Sequence, residues 1–146
     1  MPEVARYFFM MMYVLTRRAA GKDFQTGFNV STENMGMMNK VEVDHIFPKS
    51  LLEGSIKSDL AAKKKMINEI ANFGFLSKRG NLIKTNEAPE KYLPRLLKNK
   101  GPKVIKSHLI PADEKLWNLK NYKLFIEARR KLIASEINKL LKGYEQ

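Results

Sequence analysis

The residues able to do chemistry lie between Val41 and Pro94, and the densest group is Val-Glu-Val-Asp-His-Ile-Phe-Pro at 41–48. Asp44 offers a hard carboxylate oxygen, and His45 an imidazole that can act as a base near neutral pH. Downstream, Asn72 stands in Ile-Ala-Asn-Phe-Gly-Phe-Leu and Asn81 in Lys-Arg-Gly-Asn-Leu-Ile-Lys. Hydrolysis of a phosphodiester needs an activated water, help for the leaving oxygen, and neutralised charge around phosphorus. A neutral imidazole meets the first need. Magnesium, held by one or two protein oxygens and several waters, meets the others. Asp44 and Asn81 are the oxygen ligands expected for Mg2+, and Mn2+ or another divalent ion suits the same donors.

These side chains must be positioned by short elements. Val41 and Val43 share one face of a strand and Glu42 takes the other. Adjacent strand residues point to opposite faces, so Asp44 and His45 converge only where the strand ends or twists. Pro48 predicts such an end, and Ser50 then caps a short turn carrying Leu51 and Leu52. Residues 57–71 read as an amphipathic helix, with Leu60, Ile67 and Ile70 inward and Lys63, Lys64 and Lys65 toward solvent. Phe73-Gly74-Phe75-Leu76 is a second short strand. Ser77 to Gly80 is a turn, and Asn81 opens another helical segment.

The flanks look helical. Residues 4–15 are dense in large apolar side chains but too few to span a bilayer. With Arg17 and Arg18 behind them they predict a buried helix over about 3–19, ended by Gly21, with Met10, Met11 and Met12 as core filler. So apolar a helix needs cover, as expected of a domain cut from a longer protein. Residues 21–40 are polar and turn-rich, a loop leading into the site. Pro89 starts a helix to about Leu97, and Pro94 predicts a kink or break within it. Residues 99–103 form a Gly/Pro linker, and Asp113 caps a short helix carrying Leu116 and Trp117. From Asn121 to Leu141 the helical period is clear, and Gly143 ends it.

Composition frames the partners. The chain of 146 residues is long enough for one domain with a real core, and 44% apolar content argues against disorder. Its 27 Lys and Arg exceed its 15 Asp and Glu, a net charge of +12 that predicts attraction to a polyanion, most simply nucleic acid. The absence of cysteine excludes disulfides and Cys-based zinc knuckles. Cytoplasmic residence is consistent with that, and no membrane partner is expected.

Asp-His-Ile-Phe-Pro, then Ile-Ala-Asn-Phe-Gly-Phe-Leu, then Gly-Asn-Leu-Ile-Lys-Thr-Asn resembles the HNH endonuclease motif, also called the ββα-metal or His-Me finger. Within that superfamily the chain is most similar to the C-terminal nuclease domain of GmrSD-type modification-dependent restriction proteins. The likeness runs from about Met12 through the Phe-Ile-Glu-Ala-Arg-Arg segment. It implies an α+β fold, mostly α-helical around a ββα-metal core, with a two-stranded hairpin followed by a helix. The single domain would cover 1–146, with the motif core at 41–94 and a helical frame at 3–20 and 104–142. The resemblance implies that Asp44 is the first metal ligand, His45 the general base, Asn72 a brace grouped with the catalytic set, and Asn81 the second metal ligand. Asn stands here in the last motif position in place of His. Lys84, on the same helix as Asn81, would contact phosphate, and Lys49, Lys78 and Arg79 join it as expected nucleic-acid contacts. The implied partner is DNA, in restriction or anti-phage defence, beside a nucleotide-hydrolysing N-terminal domain or subunit. A homodimer is left open.

Plainer readings stand beside these. His45 alone could be a satisfied strand-end histidine, and Asp44 a turn cap. Asn68, Asn72, Asn81 and Asn86 could all be turn or cap residues, and for Asn68 and Asn86 that is the reading taken. His108 reads as structural and Trp117 as core or interface. Arg129, Arg130 and Lys131 suit either a nucleic-acid track or a solvated helix face. The rival functions are a catalytically inactive nucleic-acid-binding module and a membrane-surface or scaffold protein anchored through the N-terminal helix.

Overall fold

The computed structural model describes residues 3–18 and 41–143, so the loop expected over 21–40 lies outside the described residues. The architecture is α+β and mostly helical, with one two-stranded antiparallel sheet. Strands β1 (Val41–His45) and β2 (Phe73–Ser77) pair in a register that sets Asp44 opposite Gly74 and His45 opposite Phe73. They are not joined as a tight hairpin. Two short helices, α2 (Lys49–Ser55) and α3 (Leu60–Ile67), and a 3-10 turn at Ile70–Asn72 stand between them.

Helix α1 (Glu3–Arg18) forms much as its apolar run predicts, but only one face is buried. Met12, Leu15 and Thr16 lie in the core, while Tyr7, Met10 and Val14 are exposed. Met10 is therefore not core filler: the helical period turns it outward two residues before Met12. On the inward face, Phe9 meets Phe73 edge-on with ring centres 5.4 Å apart, and Tyr13 meets Phe75 at 6.1 Å. These contacts put α1 on the sheet face that carries Phe73 and Phe75.

Three boundaries differ from expectation, two of them because a side-chain cap sets them. Pro48 itself precedes the first turn of α2, and no side-chain cap bond forms there, so Ser50 is not the cap. Asp59 accepts from the Ala62 amide at 2.9 Å and starts α3 late. The helix expected over 57–71 thus shrinks; Leu60 is exposed and Ile70 falls in the 3-10 turn. Ser77 accepts from the Gly80 amide at 2.9 Å, so α4 (Lys78–Lys84) begins at Lys78 rather than at Asn81.

Helix α5 (Pro89–Lys100) runs through Pro94 without a break. A mid-helix proline costs about 3 kcal/mol. Tyr92, Leu93 and Leu96 are all buried from this helix, and three such side chains return roughly 5–8 kcal/mol at usual burial values. Burial wins. The expected linker reduces to Gly101, whose φ of +80° permits the turn into α6 (Pro102–Ser107). Asp113 caps a 3-10 turn, Glu114–Trp117, and a second such turn precedes α7 (Tyr122–Lys142). Helix α7 buries Tyr122, Phe125, Ile126, Arg129 and Ile133 along one stripe, while Leu132 and Leu141, which the apolar period also marks as inward, are exposed. Trp117 is core, its indole N–H donating to the Pro111 carbonyl at 2.8 Å. Among the described residues, no helix is long and apolar enough to cross a membrane.

Candidate functional site

The site is anchored by the apolar half of its own motif. Ile46 and Phe47 follow His45 directly and are 1% and 0% exposed. Phe47 packs edge-on against Tyr122 and Phe125 of α7, with ring centres 5.2 and 4.9 Å away. The Ile46 carbonyl accepts from the Tyr92 hydroxyl at 2.9 Å. Burial pushes the Tyr92 phenol well above its ordinary pKa, so it stays a protonated donor. Two core elements thereby fix the end of β1.

Asn72 completes that fixation. It is fully buried, and its Oδ1 accepts from the Phe47 amide at 2.9 Å. Its Nδ2 donates to the carbonyls of Phe47 (3.2 Å) and Ile67 (3.1 Å), while its own carbonyl accepts from the Ile46 amide at 2.7 Å. A side chain so enclosed cannot touch a substrate. Asn72 is placed as the brace the resemblance implies, acting on the strand end rather than on a reacting atom.

One side of β1 faces α4. Glu42 and Asp44 are two residues apart on the strand, and Asn81 and Lys84 three apart on the helix, so each pair shares a face. The pairs meet as two rungs. Asn81 Nδ2 donates to Glu42 Oε2 at 3.0 Å, and Lys84 Nζ to Asp44 Oδ2 at 2.6 Å. Asp44 and Asn81, far apart in the chain, thus lie in one seam. Lys84, expected to reach phosphate, is 1% exposed instead. Its ammonium is turned inward to Asp44 and lies 5.5 Å from the centre of the Tyr92 ring.

His45 leaves the strand on its other side. Its ring lies 4.5 Å from that of Phe73, and Nε2 is 3.1 Å from Asn68 Oδ1. An amide oxygen only accepts, so this pairing assigns the proton of the neutral ring to Nε2 and the lone pair to Nδ1. Burial lowers the His45 pKa; the Asn68 bond and the Asp44 charge oppose this without reversing it. The ring is thus a neutral base at pH 7. Asn68 is the residue that sequence reasoning passed over. Its place at the C-terminus of α3 accounts for its type as a cap, and its distance of 23 residues from His45 hides the second role.

Behind the site, Arg129 is 1% exposed. Its guanidinium donates to the carbonyls of Ala71 (2.7 Å), Phe73 (2.6 Å) and His108 (3.0 Å). Burial pushes its pKa down to about 9, which leaves it charged at neutral pH. It belongs neither to a nucleic-acid track nor to a solvated face. His108 is buried, as a structural histidine would be. Lys49 and Arg79 are exposed and Lys78 half-exposed, on either side of the seam's sequence. Arg130 pairs with Glu69 on the surface.

Asp44 shows what the seam accepts. The cation already against it is an ammonium, and the next rung of the seam brings together the side chains of Glu42 and Asn81. Such hard donors fit a divalent cation. Among the described residues no three His, Cys, Asp or Glu side chains gather as a ready metal cluster. A cation here would rest on one or two protein oxygens and water, the sparse set that magnesium takes. Comparison with protein-family models, curated proteins and solved structures found no match for this chain.

Proposed function

We propose that the chain is a metal-dependent endonuclease domain of the HNH type, hydrolysing DNA phosphodiester bonds in restriction or anti-phage defence. The observation that carries this reading is the joint placement of Asp44 and Asn81 in the β1–α4 seam; β1 stays paired through His45, which leaves it on the opposite side, so the meeting of that imidazole with the seam at one phosphate is part of the proposal. Asp44 and Asn81 would hold magnesium or manganese, which when bound neutralises the scissile phosphate and the departing oxygen. His45 would take the proton of the attacking water at Nδ1, while Asn68 holds the ring at Nε2. Asn72 and Tyr92 keep the strand end in place. Lys49, Lys78 and Arg79 supply positive charge for the DNA backbone.

The test is plasmid cleavage with Mg2+ or Mn2+, comparing the parent with His45→Ala. Loss of a general base lowers the rate by about two orders of magnitude or more. Equal rates in both would remove His45 from the mechanism. A second reading is favoured by one observation, the Lys84 ammonium seated on Asp44. In that reading the fold binds nucleic acid without cutting it. DNA binding by the parent with no cleavage in either metal would decide for it.

A further inference from the structure

The polar rungs between β1 and α4 carry unequal charge. In one, a neutral amide meets Glu42; in the other, a buried ammonium meets Asp44. Removing Lys84 would leave two carboxylates, Glu42 and Asp44, on one strand face with no ammonium against Asp44. Opposed to that, a divalent ion approaching Asp44 with Lys84 in place meets a like charge held 2.6 Å from one of its two carboxylate oxygens. The two cations therefore compete for the one carboxylate.

We propose that Lys84 is an internal occupant of the cation seat at Asp44, and that a divalent metal binds there only by displacing its ammonium. The inference rests on the metal-assisted reading of the same site and deepens it. The Lys84 side chain has a destination when displaced: α4 ends immediately after it, at Thr85, and the helix presents exposed Leu82 and Ile83 on its outer face. A long flexible stem at a helix terminus can swing toward solvent while keeping its methylenes covered. Lys84 thus sets the threshold for metal entry at Asp44.

The experiment measures metal binding without DNA, by calorimetry with Mn2+ on the whole chain, comparing the parent, Lys84→Met and the control Asp44→Asn. Lys84→Met is expected to bind Mn2+ at least about tenfold more tightly than the parent, with Asp44→Asn abolishing binding. Equal or weaker binding by folded Lys84→Met overturns the proposal. Should that variant not fold, the parent decides the matter: the NMR resonance of the Lys84 side-chain ammonium must move on saturation with diamagnetic Mg2+. An unmoved resonance overturns the proposal. Cleavage of DNA plays no part in these readouts. A chain that binds metal competitively but cuts nothing keeps this inference and loses the nuclease reading; a chain that cuts with Lys84 irrelevant to affinity does the reverse.

Discussion

At His45 opposing influences set the pKa, and the largest that raises it can be removed alone. Burial against Phe73 lowers the imidazole pKa, and the Asn68 hydrogen bond raises it. The neutral ring is the working base, so cleavage is expected to rise with pH through a limb lying below the ordinary 6.5 of histidine. Asn68→Ala deletes the raising influence, so its limb should move to lower pH, with a slower plateau because the ring loses its anchor. A limb that moves upward would contradict the hydrogen bond as drawn. The same shift has a stability consequence with a definite sign. A histidine whose folded pKa is depressed binds protons better when unfolded, so stability is present above the ordinary value and falls as pH drops through the window below 6.5. Asn72 poses a sharper stability question. Asn72→Ala strands the Phe47 amide and the carbonyls of Phe47 and Ile67. Each unsatisfied buried group costs about 1–3 kcal/mol, so urea unfolding should show a loss of roughly 3 kcal/mol or more. A loss below about 1 kcal/mol would mean that water reaches the cavity.

At the scale of elements, what was legible in the sequence was whatever local pattern controls. The two strands follow from Val-Glu-Val and Phe-Gly-Phe-Leu, and α7 from its long apolar period. What stayed hidden was decided by partners distant in the chain. Arg129 shows the difference: its position in the α7 period marks it as inward, its type as outward. Only the fold reveals the carbonyls of Ala71, Phe73 and His108 that resolve the conflict. Lys84 was misjudged for the same reason, because Asp44 lies forty positions away. Pro94 failed as a break because burial along α5 outweighs one lost bond. The carbonyl clamp makes its own prediction. A lysine cannot span acceptors arranged for a planar fork, so Arg129→Lys should destabilise by about 2 kcal/mol or more, nearly as much as Arg129→Met. Amide exchange at Phe73 should quicken in both. A Lys variant as stable as the parent would remove the clamp from the account.

For the whole molecule the decisive quantity is charge that remains available at the surface. The net of +12 overstates it in one respect and understates it in another. Lys84 and Arg129 are withdrawn into the interior. Arg95, Arg130 and Lys139 are paired with Glu87, Glu69 and Glu136, yet surface pairs of this kind are weak and open readily to a phosphate. Lys78 and Arg79 remain at the start of α4, and Lys49, at the start of α2, is held only by a loose 3.6 Å pair with Glu53. Binding to DNA through such groups releases counterions, and each phosphate contact contributes about −0.9 to the slope of log affinity against log salt. Replacing these three together with glutamine should therefore flatten the slope by about 2.7, while leaving His45 and the seam untouched. Fluorescence anisotropy of a labelled duplex between low and moderate salt reads this directly. If the slope is unchanged, the duplex tracks another part of the basic surface, and the contacts expected at these positions are not made. A chain that binds anionic vesicles with the same salt dependence but ignores the duplex would instead point to a lipid surface as the polyanion that this charge serves.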